Sequence, residues 1–276
     1  MPFSANWQAL MRESELAAEQ IGSGVTALGR ANHAASGFYT QAFFGLSIGL
    51  ERLAKLAIVA AHAIENEGRF PDNQVLRKYG HDIRGLFAAC EPLAAKYCAG
   101  EEHCGRPNDT VHQGIVLTLA EFAELSRYYN LDLLAGGKAT RLPEPVGAWW
   151  QRVGTPILDR HYSPKRRERD RVQAEVMEEI LGSVSMVVHH DEQGNAINSI
   201  EELSRRAGAT AIVQRYGRLY TLQLARWLVE ILAKLSFIGS GKMQIDDVMG
   251  LYEPFVLFRN DDDYFRNRKT WSIYRL

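Results

Sequence analysis

The sequence predicts an all-α fold, and three observations carry that expectation. Apolar residues recur at steps of three and four through most of the chain. Strand signals are scarce, with no long alternating run and no Asn-Gly or Asp-Gly turn between β-branched stretches. Serine, aspartate, glycine and proline stand where helices would begin and end. A length of 276 residues suits one large domain or two small ones, and it can bury a substantial core.

The first helix is expected over 4–22, opened by Ser4 as N-cap. A long second helix is expected over 35–67. Its residues Phe43, Leu46, Leu50, Leu53, Ala57, Ala60 and Ile64 form one face, and Gly68 and Pro71 stop it. A short helical stretch over 72–79 leads to Gly80. A third helix covers 81–99 with a kink at Pro92, and a polar loop over 100–109 precedes a fourth helix at 110–134. Glycine and proline cluster in 136–147, "GGKATRLPEPVG", which reads as a linker. An amphipathic piece follows over 149–162. The basic run "KRRERDR" at 165–171 then opens a helix reaching about residue 190. The one strand-like stretch, "SVSMVVH" at 183–189, reads as a continuation of that helix. "DEQGNAINS" is a loop whose Asn198 or Ser199 caps "IEELSRRA". A strongly apolar helix over 210–238 ends at "GSGK", and the tail from 246 mixes aromatic and charged residues. The expected division is a helical bundle over 1–140 and a C-terminal helical region over 141–276, packed on it.

Composition narrows the function classes. Hydrophobic residues make up 46% and charged residues 24%, as in globular proteins. The formal net charge of -1 provides no global field for nucleic acid. No uncharged apolar run has the length of a membrane span, so no membrane association is expected. The N-terminus lacks the basic and apolar regions of a secretory signal, which makes cytoplasm the expected location. Phosphate-loop, Rossmann, H-E-x-x-H and G-x-S-x-G patterns are missing, and no cofactor is expected. Cys90, Cys98, His103, Cys104 and His112 are irregularly spaced, unlike the close pairs of metal sites, so no metal is expected either.

Residues 42–87 carry a more specific order of features. Glu51 and Lys55 sit in an apolar helix, "FFGLSIGLERLAKL". A loop follows, and "HDIRGLF" starts the next helix at His81. This order resembles the HEPN superfamily, small helical domains of many prokaryotic defence and toxin systems. The resemblance implies an antiparallel four-helix bundle, usually a homodimer, and in many members a metal-independent ribonuclease. Such members carry Arg, four to six residues, then His, near the start of the last bundle helix. Here the match is Arg106 and His112 in "RPNDTVH", with Pro107 where active members usually have Asn, Asp or His. Carried over, His112 would be the acid/base for attack by an RNA 2′-hydroxyl, and Arg106 would steady the phosphate. Glu51, Lys55, His81 and Asp82 would line the site. The plainer alternative is a helix-surface Glu–Lys pair and an N-capping Asp82.

Other clusters have two readings as well. Lys165, Arg166, Arg167 and Arg169 could track a phosphate backbone, or form a solvated helix entry diluted by Glu168 and Asp170. Arg205, Arg206, Arg215, Arg218 and Arg226, interleaved with Tyr216, Tyr220 and Trp227, suit an RNA groove or a helix–helix surface. The aromatic tail suits docking on its own domain or on a protein partner. The leading functional expectation is a HEPN-type metal-independent endoribonuclease or toxin-like effector of antiphage defence. The alternative is a non-catalytic HEPN-like module that binds a protein partner or nucleic acid.

Overall fold

The computed structural model describes residues 4–72, 74, 77–136 and 143–272, and these are overwhelmingly helical. Helix α1 (Ala5–Leu28) opens at Ser4, whose Oγ accepts from the Trp7 N–H at 2.9 Å. It continues past the stop expected at Gly22, because its glycines serve packing. A Cβ on Gly24 would lie 2.9 Å from the Leu46 nitrogen, and one on Gly45 would lie 2.8 Å from the Gln20 carbonyl. Glycine on both helices thus lets α1 lie antiparallel against α2 (Gly37–Glu65) at near backbone contact. Helix α2 ends where Glu67 and Gly68 turn left-handed, with φ of 53° and 87°. Most of the helical stretch expected over 72–79 falls outside the described residues.

Helix α3 (Ile83–Tyr97) is capped by Asp82, whose carboxylate accepts from the Gly85 N–H at 3.0 Å. It runs in the same direction as α2, since Glu51 meets His81 near one end and Glu65 meets Lys96 near the other. This departs from the strictly antiparallel bundle. Residues 66–82 are long enough to carry the chain back before α3 begins. Helix α4 (Thr110–Glu121), capped by Asp109, widens into a π turn at Phe122–Ser126, and a separate α5 (Tyr129–Ala135) follows. The single helix expected over 110–134 is therefore divided. Of the linker over 136–147, residues 137–142 lie outside the described set. Its end forms α6 (Pro145–Trp149), which passes through a π turn at Trp150–Gly154 into α7 (Thr155–His161).

Helix α8 (Pro164–Leu181), capped by Ser163, stops well before residue 190. Beyond Gly182 the β-branched Val184 and Val188 are exposed, so no packing supports further helix there. His189–His190 (β1) pairs antiparallel with Ala196–Ile197 (β2) in a minimal hairpin that turns at Gly194, φ 82°. Helix α9 (Ile200–Phe237) merges two expected helices into 38 residues. Ser199 Oγ accepts from the Glu202 N–H, and the Glu202 carboxylate accepts from Asn198 N–H. Gly208 does not break α9, because α8 packs against it there. A Cβ there would lie 2.7 Å from Asp170 Oδ2. The tail runs through 3-10 turns at Asp246–Val248 and Glu253–Arg259 to α10 (Asp262–Asn267).

From Gly217 to Ser236 helix α9 is buried on nearly every side, as an all-round apolar helix must be. It packs on α1, α2, α3, α4, α8 and the tail. One continuous core joins Phe43, Leu50 and Phe87 to Trp149, Leu228 and Trp271, and so crosses the expected 140/141 boundary. The tail aromatics Phe255, Phe258, Phe265 and Trp271 are all buried within this chain. Among the described residues, no helix is long and apolar enough to cross a membrane.

Candidate functional site

Three of the four residues expected to line a site meet. Lys55 Nζ donates to Glu51 Oε1 at 2.8 Å and to the Gly80 carbonyl at 2.7 Å. His81 Nδ1 lies 3.0 Å from Glu51 Oε2. The largely buried Glu51 carboxylate therefore ties α2 to the turn before α3, while the His81 ring stays mostly in solvent. Asp82 stands beside them, occupied by its cap.

Arg106 and His112 have separate surroundings. Arg106 pairs with Glu91, and its guanidinium lies 5.5 Å from the Phe87 ring centroid and 5.9 Å from that of Trp227. Glu91, Arg106 and Trp227 line a cavity of about 450 Å³ that His112 does not reach. His112 is buried on α4, with Nδ1 2.9 Å from Asp109 Oδ1 and Nε2 2.9 Å from Gln223 Oε1. The Tyr220 ring meets it edge-on at 5.0 Å. Burial pushes the His112 ring below the usual histidine range, against the opposing pull of Asp109 and Gln223. The arrangement continues from Gln223 Nε2 to Asp262, which also accepts from Arg226. Here the imidazole joins α4, α9 and α10.

The basic run on α8 is occupied by local partners. Arg166 and Arg169 face Asp170, and Arg171 pairs with Glu168 and Glu175. Arg167 donates to the Tyr162 and Leu158 carbonyls and stacks on Tyr162. Lys165 is exposed. Of the later arginines, Arg206, Arg215 and Arg226 hold Glu192, Asn267 and Asp262 respectively. Arg218 is buried against Gly29, and burial lowers its pKa.

A polar cleft of about 710 Å³ opens between the start of α2, α6 and the β-hairpin. One of its lining residues, Glu192, belongs to a buried network. The Glu192 side chain is 0% exposed and takes Arg206 Nε at 2.7 Å, while the Tyr39 hydroxyl donates to it at 3.2 Å. Trp150 Nε1 donates to the Tyr39 oxygen at 2.8 Å, and the Arg206 guanidinium lies 3.7 Å from a Trp150 ring centroid. Burial beside Glu192 pushes the Tyr39 hydroxyl far above the usual tyrosine range. The buried Glu192–Arg206 pair, backed by the Tyr39 hydroxyl and the Trp150 ring, ties the hairpin to α2 and α9. The rim includes His33, Thr40, Gln151, His190 and Asp191. Burial lowers the His33 pKa, and hydrogen bonds from Asn195 and Gln193 hold Asp191 down against the opposing effect of burial. Among the described residues, no lysine or arginine lines the cleft. No group of three or more His, Cys, Asp or Glu among them is arranged to hold a metal ion.

Such a cleft suits recognition of a polar ligand. Sequence reasoning singled out only Arg206 of the buried network, as one of the late arginines. Tyr39, Trp150, Glu192 and Arg206 come from four distant places, and no spacing rule links them. No protein-family model, curated protein or solved structure matches the chain.

Proposed function

We propose that this chain is a non-catalytic HEPN-like helical module that acts by binding a protein partner. The observation that supports this reading is the commitment of His112. Both ring nitrogens are held in the interior, by Asp109 and Gln223, and Arg106 is turned to Glu91 and two aromatic rings. A general base must reach the proton it removes, and here neither nitrogen is free to meet a 2′-hydroxyl. A protein is favoured over nucleic acid on charge. Of the α8 arginines, Arg166, Arg169 and Arg171 are paired with neighbouring carboxylates and Arg167 with backbone carbonyls, and no lysine or arginine lines the cleft. A phosphate backbone needs the opposite balance.

The test is incubation of the purified chain with single-stranded and hairpin RNA in the presence of a chelator, alongside a folded His112→Ala variant. No cleavage by either protein is expected, and no RNA binding that survives physiological salt. Cleavage by the wild type that vanishes in the folded variant would restore the ribonuclease.

A further inference from the structure

Two arginines of α9 are almost wholly buried, Arg218 at 5% and Arg226 at 4% exposure. Taking a guanidinium out of water is costly unless it is paired and hydrogen-bonded. Arg226 meets that requirement, with Asp262 and the Asn260 carbonyl as acceptors. Arg218 does not meet it among the described residues. Its Nε is sealed from solvent with no acceptor, and the two Nη atoms are not enclosed in that way. The one charge that acts on it among those residues is another cation, Arg215, a turn earlier on α9.

The surroundings are nevertheless shaped for this guanidinium. A Cβ on Gly29, the cap of α1, would lie 2.2 Å from Arg218 Nη1 and 3.0 Å from its Cδ. The backbone at Gly29 has φ of -71°, which any residue adopts, so glycine there serves the space the arginine needs. The C-terminal end of α1 answers part of the charge. A helix end carries only about half a negative charge, however, and here it faces Arg215 as well as Arg218. Arg215 donates to Asn267, a neutral side chain. A positive recess remains, with the outer edge of a planar, two-pronged donor at its mouth.

We propose that Arg218, with Arg215 beside it, binds a phosphate group, either the free ion or the monoester of a small ligand. A guanidinium fork matches two phosphate oxygens, and a dianion offsets both arginines at once, which a carboxylate does not. The slight exposure of Arg218 suits a terminal phosphate and not a phosphodiester chain running past it. The inference goes beyond the partner-binding reading. It uses neither Arg106 nor His112, and it stands whether or not a protein docks.

Thermal melts of the full chain are followed across series of sodium phosphate, glycerol phosphate and sodium acetate, with sodium chloride holding ionic strength constant. Equilibrium dialysis with labelled phosphate measures binding directly. The wild type is expected to bind phosphate and to gain several degrees in a saturable way. Arg218→Met is expected to melt no lower than the wild type without phosphate and to gain nothing from it, because an apolar chain of similar length replaces an unpaired buried charge. Gly29→Ala, whose methyl takes the place of Nη1, is expected to retain less phosphate in dialysis. A gain from glycerol phosphate as well as phosphate assigns a monoester, and a gain from phosphate alone assigns the free ion. A wild type that binds no phosphate overturns the proposal, as do variants that bind it equally or an acetate series that matches the phosphate series. A marked loss of stability in phosphate-free Arg218→Met also overturns it, and makes the guanidinium a fixture of the α1 end.

Discussion

At the scale of single residues, a histidine in the right place for catalysis can be held as structure. His112 follows Arg106 at the spacing that marks HEPN ribonucleases, yet its ring bridges Asp109 to Gln223 inside the molecule. Removing it leaves Gln223 Oε1 without this partner and a gap beside Tyr220, while Asp109 keeps its backbone N–H groups and Arg160, so His112→Ala is expected to lose about 1–3 kcal/mol of stability in urea melts. Little change in the midpoint would show that the bridge contributes nothing. The same ring makes stability depend on pH. Burial lowers the folded pKa of His112, and also those of His33 and His161, below the value of 6.5. The unfolded chain then binds more protons than the folded one just below that value. The contribution is therefore complete above 6.5 and is lost as pH falls toward the folded pKa. Melting temperature is expected to drop as pH falls from about 7.5 to 5, with a shallower slope in His112→Gln. An equal slope in the two proteins would exclude His112 as a source.

At the scale of elements, legibility followed local chemistry. Ser4, Asp82 and Ser199 mark helix starts in the sequence, and each accepts a hydrogen bond from the helix it opens. The long apolar face of α2 was equally plain. Glycine was the misleading signal. Gly22 looked like a stop and Gly208 fell between two expected helices, whereas both lie inside continuous helices. A local rule cannot tell a glycine that ends a helix from one that admits another backbone, because that depends on a partner distant in sequence. The π turns at Phe122–Ser126 and Trp150–Gly154 left no readable signal for the same reason. The α1–α2 contact makes the point testable. A side chain on Gly45 would press on the Gln20 carbonyl and the Gly24 backbone. Gly45→Val is expected to cost about 1–3 kcal/mol of stability in chemical denaturation, against little change for exposed Gly37→Ala. Equal effects at the two positions would remove close approach as the reason for Gly45.

At the scale of the whole molecule, the all-helical class was readable from periodicity, but the organisation was not. The expected halves meet at a linker by composition, while the core ignores it. Helix α9 supplies Trp227 and Leu228 beneath Phe87, and the tail sets Trp271 against Phe258 and Phe265. Composition reports where chain is polar or kinked, but it does not report which apolar faces lack a neighbour until α9 arrives. A segment of residues 1–140 would expose the surfaces of α1, α2, α3 and α4 that α9 covers. Cooperative folding of that segment alone is therefore not expected, and its amide spectrum should lack dispersion. A well-dispersed spectrum with a sharp melt would show instead that the first half is an independent domain. The tail gives a second measure of the same unity. Trp271 is 1% exposed, and its backbone N–H donates to Thr26 of α1. Truncating a buried tryptophan to alanine costs about 3–5 kcal/mol, and whole domains are stable by only about 5–15. Trp271→Ala in the full chain is thus expected to remove a large share of global stability, with one shared transition for near- and far-ultraviolet dichroism. Loss of tail signal ahead of the helices would mean that the tail is an appendage, and the continuous core would then have to be redrawn to end at α9.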